Sequence, residues 1–498
     1  MKKRLICLLL ALLCTLPTIG CSGKDEETKE TTPAENTANA ETETETETEL
    51  TDGLPETDMN GFSYHLLNTS QETLTWADMR FLSEELDGET VNDGLYNRRT
   101  DIQERFNCSI TSEETIHYQE VPKHLQNFVN AGDGQYQSVF LAESHLGSAL
   151  SYCSAWNSVP HLRYTEDHWN PNATSIFDLN GKQVALAGNV SLSVASRAVC
   201  MVFNKRIFAE HFSGDSLYEK VENNEWTLDT WLSYVSQAGV DLNGDGAWTA
   251  EDQYGLNMGR GFKGYLASFI GASGQHFTTP DANGIPELTM HTSEATLNLV
   301  TRLMDAMTAT EGFYYNEDKT VHGFQPADFF SSGHALFTQG VPHDIYKLRD
   351  MEDDLGILPM PKLTPEQDKY YSASWGGHVL VLPKTVLPES ETGTCIGILL
   401  EAMSFAGYHD ILPLYKEVAL KSKTARDEES SAMLDIIYAS AVFDFGTNIL
   451  YDALLAPTVL QTLWDKKDSS IIVSTCTAQE KKIADYITDF ITAVEEMS

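Results

Sequence analysis

Residues 241–252 read Asp-Leu-Asn-Gly-Asp-Gly-Ala-Trp-Thr-Ala-Glu-Asp, and this stretch carries the plainest chemistry in the chain. Oxygen-bearing side chains stand at loop positions 1, 3 and 5, as Asp241, Asn243 and Asp245. Gly246 follows where the backbone must turn sharply, and Ala247 offers a carbonyl. Thr249 and Asp252 occupy positions 9 and 12. That is the ligand spacing of an EF-hand-type calcium loop. Calcium is a hard cation that takes about six to eight oxygens, and a loop of this length wraps them round one point. Position 12 is Asp in place of the usual Glu, a shorter arm with less reach. One loop without a tandem partner points to a structural Ca2+ staple, not a sensor. The same residues also read as a polar turn running into a helix that starts at Thr249.

A second set of polar and aromatic residues gathers beside short apolar runs. Glu143-Ser144-His145 follows the run 137–142, and Gly188-Asn189-Val190-Ser191 follows 184–187. Thr338-Gln339-Gly340 and then His343-Asp344 follow 335–337, and Ser374-Trp375-Gly376-Gly377-His378 precedes 379–382. Ligands in open α/β sheets collect outside strand ends. Sugars in particular need planar polar groups for their hydroxyls and an aromatic face for their C–H surface. The candidate ligand-binding residues are therefore Glu143, Ser144, His145, Asn189, Ser191, Gln339, His343, Asp344, Trp375 and His378. Trp375, between Ser374 and two glycines, is the candidate stacking platform, with Trp156 next in line. Each of these residues, taken singly, also reads as an ordinary loop residue. Trp226 and Trp231 read as core, and Trp248 as packing beneath the metal.

The elements that must hold these groups follow from hydrophobic pattern. The apolar runs 137–142, 184–187, 198–203, 335–337 and 379–382 read as buried strands, with helices between them. Thr227 is placed to cap a helix start, with Trp226 and Trp231 at the two ends of a hydrophobic staple. Ile483, Tyr486, Ile487, Phe490, Ile491 and Val494 form one stripe at helical spacing. Strands alternating with helices give an α/β fold. At 498 residues the chain calls for two or more lobes.

Composition narrows the partners. The formal net charge of −40 repels nucleic acid and anionic head groups. Lys2, Lys3 and Arg4 precede an apolar segment at 6–16 and then Thr18-Ile19-Gly20-Cys21. This reads as a lipoprotein signal peptide (1–21) that leaves Cys21 as a lipidated N-terminus at the outer face of the cytoplasmic membrane; ordinary secretion is the alternative. Thr18 stands where Leu is usual. No later run of about 18 apolar residues reads as a membrane span. Residues 22–60, with their Glu-Thr alternation, read as an acidic disordered linker. Cys108, Cys153, Cys200, Cys395 and Cys476 are odd in number and widely spaced, so they form neither a disulfide framework nor a zinc site.

Catalytic signatures are missing. There is no Gly-x-Ser-x-Gly elbow, no Walker loop and no Gly-x-Gly-x-x-Gly after a strand. With 73 acidic residues, paired carboxylates arise by chance.

Across residues 80–450 the chain resembles the extracellular solute-binding proteins of ABC sugar importers, the large lipoprotein type of anaerobic Gram-positive bacteria. The residues that carry the resemblance begin with Asn92-Asp93-Gly94-Leu95-Tyr96-Asn97-Arg98-Arg99, Trp169-Asn170-Pro171-Asn172, Phe203-Asn204-Lys205 and Glu225-Trp226-Thr227-Leu228-Asp229. They continue with the loop 241–252 running into Gln253-Tyr254-Gly255-Leu256, then 348–359, then Ala425-Arg426-Asp427-Glu428-Glu429-Ser430. The resemblance implies a type II periplasmic-binding-protein-like fold, two lobes joined by crossing hinge segments, with crossings expected at 187–193, 337–343 and 375–382. It assigns 61–188 plus 341–374 to lobe 1 and 189–340 plus 375–498 to lobe 2. It implies a monomeric, non-catalytic binder that holds a sugar or oligosaccharide in the cleft and delivers it to an ABC transporter permease. A surface polysaccharide-degrading lipoprotein and a structural surface lipoprotein are the alternatives.

Overall fold

The computed structural model describes residues 51–74, 77–259, 262–308, 312–315, 328–348, 351–420 and 428–497. The signal segment, Cys21 and the linker up to residue 50 lie outside the described residues. The linker is shorter than expected. Asp52 is buried and paired with both Nη atoms of Arg105, and Met59 is in the core, so 51–60 belong to the folded body.

The strands are, in chain order, β1 (Phe62–Thr69), β2 (Cys108–Ile116), β3 (Ser138–Ala142), β4 (Cys153–Ser154), β5 (Asp178–Leu179), β6 (Lys182–Gln183), β7 (Cys200–Asn204) and β8 (Tyr254–Gly259). They continue as β9 (Thr278–Pro280), β10 (Pro286–Leu288), β11 (Phe313–Tyr315), β12 (Ala335–Gly340), β13 (Leu355–Pro359), β14 (Ser372–Ala373), β15 (His378–Pro383) and β16 (Ala441–Val442). Two five-stranded sheets dominate, with orders β2-β1-β3-β15-β4 and β11-β8-β12-β7-β13. The two share one plan. In each, four strands run parallel and the fourth in order runs against them: β15 is antiparallel to β3 and β4, and β7 to β12 and β13. That antiparallel strand is the first one after the chain has crossed from the other sheet.

This exchange corrects the expected lobe boundaries. Leu355–Pro359 was assigned to lobe 1, but it pairs with β7 in the second sheet. His378–Pro383 was assigned to lobe 2, but it pairs with β3 in the first. The segment 337–343 is not a crossing: β12 runs directly into a helix, Pro342–Lys347, on its own side. The first crossing runs from Ala187 to Val199, and the return crossing from Met360 to Gly377. A third passes through β16. The three lie side by side: Val199 N–H donates to Ala373 O (2.9 Å), Ser372 N–H to Ser440 O (2.9 Å) and Ser374 N–H to Val442 O (3.1 Å). This is the hinge.

The C-terminal third serves both sides. The helix Glu391–Ala406 packs in the first sheet's core with Phe140, Trp156 and Leu380, against its expected place in lobe 2. It continues to Val418 as a run apolar enough to cross a membrane, but 67% of its most apolar window is buried inside the protein. The helix Glu428–Ala439 packs against β13. The last helix, Ile472–Glu495, buries Ile483, Ile487, Phe490, Ile491 and Val494, the stripe read from spacing. Thr227 does cap its helix, accepting from Thr230 N–H at 3.3 Å. Trp226 and Trp231 are fully buried, packed on Phe337 and Phe269. The run 184–187 is buried but contributes a single bridge, Leu186 to Leu380, not a strand. Among the described residues, the five cysteines are free; Cys153, Cys200 and Cys476 are buried.

Candidate functional site

The segments that follow β1 in one sheet and β12 in the other come together, and a cavity of about 280 Å³ lies between them. Its walls include Asp78, Arg80 and Glu89 after β1, His343 after β12, and Tyr415 on the helix Leu412–Leu420. The loop after β1 is fixed by Gln71. Its amide donates to Leu74 O and Ala77 O (3.1 and 2.7 Å) and accepts from Met79 N–H (2.8 Å). Ser196 of the first crossing bonds both the N–H and the carbonyl of Asp78 (3.3 Å each), tying the hinge to the cavity wall.

Arg80 is held on two sides. Nε and Nη2 donate to the Asp78 carboxylate (3.0 and 2.8 Å), and Nη1 donates to Glu89 Oε2 (2.9 Å). Burial works against its charge, but those carboxylates hold its pKa above the ordinary value. Glu89 also caps the helix Thr90–Phe106, accepting from Val91 and Asn92 N–H.

Beside the cavity, the three crossings converge on one carboxylate. Glu143, at the end of β3, accepts from Gly376 N–H (2.5 Å), Gly377 N–H (3.2 Å) and Asn448 Nδ2 (3.0 Å). Asn448 also donates to Ser374 O (3.0 Å). Gly376 sits at φ +73°, a left-handed conformation that turns its N–H toward Glu143. Glu143 is 4% exposed, and burial pushes its pKa up to about 7 against the pull of those hydrogen bonds. Arg197, the buried cation of the first crossing, donates from Nε to Trp375 O (3.0 Å). Burial lowers its pKa, while Asp344, Glu143 and Asp452 act to raise it.

The sequence-derived candidates divide. His343 reaches the cavity. Ser144 and His145 are half-buried and face Asp452, whose pKa burial raises while His145, Arg197 and Lys263 pull it down. The His145 ring stacks on Tyr118 (centroids 5.9 Å apart, 7°). Asp344 is buried and acts on Arg197. The others do not line this cavity. Ser191 accepts from Ser193 N–H within the crossing. Asn189 donates to His168 O (2.9 Å) and lines a different cavity, with Asn170 and Tyr438. Gln339 is buried within β12 of the second sheet and donates to Ser268. His378 pairs with Ala142 inside the first sheet; burial pushes its pKa down to about 3, so the ring is neutral, and neither ring nitrogen has a hydrogen-bond partner. Trp375 is no open platform: it is 5% exposed and packs on Tyr451 (5.9 Å, 48°). Trp156, the reserve platform, is core, donating Nε1 to Leu380 O (3.2 Å).

Sequence reading missed Asp78, Arg80, Glu89, Arg197 and Asn448. Arg197 left a trace, a lone cation within the otherwise uncharged stretch 190–203. The others left none, because their meaning depends on partners far along the chain.

The loop 241–252 curls as its spacing demands. Asp241 accepts from Gly244 and Gly246 N–H (2.7 and 2.8 Å), Asn243 from Asp245 N–H (2.9 Å) and Asp245 from Ala247 N–H (2.8 Å). Gly244 and Gly246 are both left-handed (φ +71° and +78°). No helix starts at Thr249; Val240 and Gln253 pair across the loop base and the chain enters β8. Asp252 departs from the ligand pattern. It is buried, with Oδ1 taken by Leu242 N–H (3.0 Å) and Oδ2 by Thr249 N–H (2.7 Å), and the latter bond leads in holding its pKa low. Asn243, Asp245, Ala247 and Thr249 stand exposed around the turn, and Asp241, like Asp252, has both carboxylate oxygens engaged by loop amides. Among the described residues, no cluster of three or more His, Cys, Asp or Glu side chains is arranged to hold a metal ion.

No known protein family's pattern matches the sequence, and no curated protein matches it. Solved structures do. M. tuberculosis UspC superposes with a TM-score of 0.56 at 12% identity, covering 87% of this chain and 100% of that one. The cyclic α-maltosyl-1,6-maltose binding protein from Arthrobacter globiformis gives 0.53 at 13%, covering 87% and 98%. A cyclo/maltodextrin-binding protein complexed with maltotetraose gives 0.50 at 12%, covering 87% and 96%. The chain has the two-lobe α/β fold of these proteins.

Proposed function

We propose that this chain is an extracellular solute-binding protein of an ABC sugar importer, whose two lobes close on a carbohydrate without making or breaking a bond. The observation that carries this reading is the cavity between strand ends of two sheets that exchange strands across a three-stranded hinge. A cleft walled by both lobes changes shape when the hinge moves, so a ligand contacting both walls favours closure. The fold shared with sugar-binding proteins supports the choice of ligand class. The carboxylates that wall the cleft support a non-catalytic role: Asp78 and Glu89 are engaged by Arg80, and Asp87 accepts from Glu89 N–H. The finer points of the proposal are delivery to a permease, a lipid anchor at Cys21, residence at the cell surface as a monomer, and a structural Ca2+ in the loop 241–252.

The test is a thermal-shift screen against a glycan library, followed by calorimetry and small-angle scattering with the best binder. A ligand at a hundred-fold excess over Kd adds about 2.7 kcal/mol to the folded state. A binding glycan raises Tm and shrinks the radius of gyration. Flat Tm across the library sinks the carbohydrate reading. Product formation that vanishes with a single cleft carboxylate replaces it with the hydrolase.

A further inference from the structure

The charges around the interlobe cavity bear on which sugars it admits, an inference that rests on the carbohydrate reading. The charged walls are the carboxylates of Asp78, Asp87 and Glu89 and the guanidinium of Arg80. Arg80 is already committed, to Asp78 through Nε and Nη2 and to Glu89 through Nη1. An acidic sugar entering here meets three carboxylates and a single cation, whose Nε and one N–H of each Nη are already engaged by Asp78 and Glu89. Toward the hinge the charges are closer to balance. Arg197 stands in the field of Asp344, Glu143 and Asp452, and Lys263 and His145 face Asp452. Sugar hydroxyls fare differently. They donate, and Asp87 and Glu89 Oε1 keep lone pairs beyond those their protein partners use, whereas both Asp78 oxygens and Glu89 Oε2 already accept two hydrogen bonds each. An ammonium group donates in the same way and gains charge attraction besides.

We propose that the cleft selects glycans free of acidic groups, and takes amino sugars in preference to uronates, sulfated sugars or phosphorylated ones. Discrimination comes from like-charge contact with the wrong ligand as much as from attraction to the right one.

The full chain is titrated in low salt and in about 0.15 M salt against backbone-matched sets in which each glycan is present in neutral, free-amino and uronic forms. The sets span glucose, mannose, galactose and xylose oligomers. Within the set that binds, the uronic member binds roughly tenfold more weakly than the neutral one. Salt narrows that gap by screening. Asp87→Asn, which keeps the acceptor that Asp87 offers Glu89 N–H at 2.8 Å, narrows it by about two- to threefold. A uronic member that binds as tightly as its neutral counterpart overturns the charge selection and leaves the carbohydrate reading intact. No binding by any member overturns the carbohydrate reading, and the selection falls with it.

Discussion

Gly376 donates its backbone N–H to the Glu143 carboxylate across 233 residues of sequence, at 2.5 Å, and joins the return crossing to the end of β3. Asn448 reaches the same carboxylate from the helix Gly446–Leu460 that follows the third crossing, and Arg197 acts on it from the first, so one buried side chain is tied to all three hinge segments. The consequence is a pH dependence with a definite sign. The folded pKa is about 7, above the ordinary carboxylate value. Stability from this group is full below the unfolded pKa and is lost as pH rises through about 7. Glu143→Gln therefore flattens the fall in unfolding free energy between about pH 5 and 8. The effect is on the order of 3 kcal/mol, since each tenfold change in proton affinity is worth about 1.4 kcal/mol. The slope is the readout, because Gln also sets an amide donor against Asn448 and lowers stability at every pH. A variant whose slope over that range equals the wild type's rules out Glu143 as the source.

In the loop 241–252 the proposed calcium binding is separable from closure of the loop. Asp241 lies at the exposed turn, whereas Asp252 is buried and closes the loop base. With Ca2+ at a hundred-fold excess over Kd, the wild type gains about 3 kcal/mol, which chelator removes. Asp241→Ala loses the calcium response. Asp252→Ala falls by about 2 kcal/mol whether or not calcium is present, because charge-assisted backbone bonds are lost. Melting curves in chelator and in calcium decide this; identical wild-type curves in both remove the staple.

What was legible in the sequence was whatever a short window encodes. The fully apolar runs of β3, β12 and β15, the Thr227 cap and the stripe of the last helix are local patterns, and they appear where spacing placed them. The side of the hinge on which a strand lies is not local. β13 and β15 are both buried, apolar and short, and nothing in either run says that it pairs across the crossing. The glycines beside Trp375 carry the same lesson. They looked like room for a ligand to reach the ring. Gly376 instead supplies a left-handed turn that aims its amide at Glu143, and that geometry needs a partner more than two hundred residues away.

Trp375 accordingly behaves as core. It is packed on Tyr451, and its carbonyl accepts from Arg197. Trp375→Ala costs roughly 3–5 kcal/mol of stability by opening a cavity. Denaturant unfolding measures that loss. A variant that melts like the wild type but binds glycan far more weakly restores the stacking platform.

Glu401 is the counterpart of Glu143, a second buried glutamate whose pKa moves the opposite way. Its carboxylate, in the helix Glu391–Ala406, accepts from Arg163 N–H (3.0 Å), Arg163 Nε (2.7 Å) and Trp169 Nε1 (2.7 Å), and His168 Nε2 lies 2.7 Å from Oε1. Burial acts to raise its pKa, but these partners outweigh it and the pKa is lowered. For a depressed carboxylate the sign reverses: its stability is present above the unfolded pKa, near 4.5, and is lost as pH falls through the lower folded value. Removing the acceptor leaves buried donors stranded, so Glu401→Ala costs about 3–5 kcal/mol at neutral pH. Glu401→Gln keeps the shape but removes this group's share of the acid-limb dependence. The two glutamates thus bound the stability profile from opposite sides, Glu401 on the acid limb and Glu143 on the neutral-to-alkaline one. Chemical unfolding of both Gln variants across about pH 3 to 8 separates them. If Glu401→Gln leaves the acid limb unchanged, the network around Arg163 and Trp169 does not hold the carboxylate ionised.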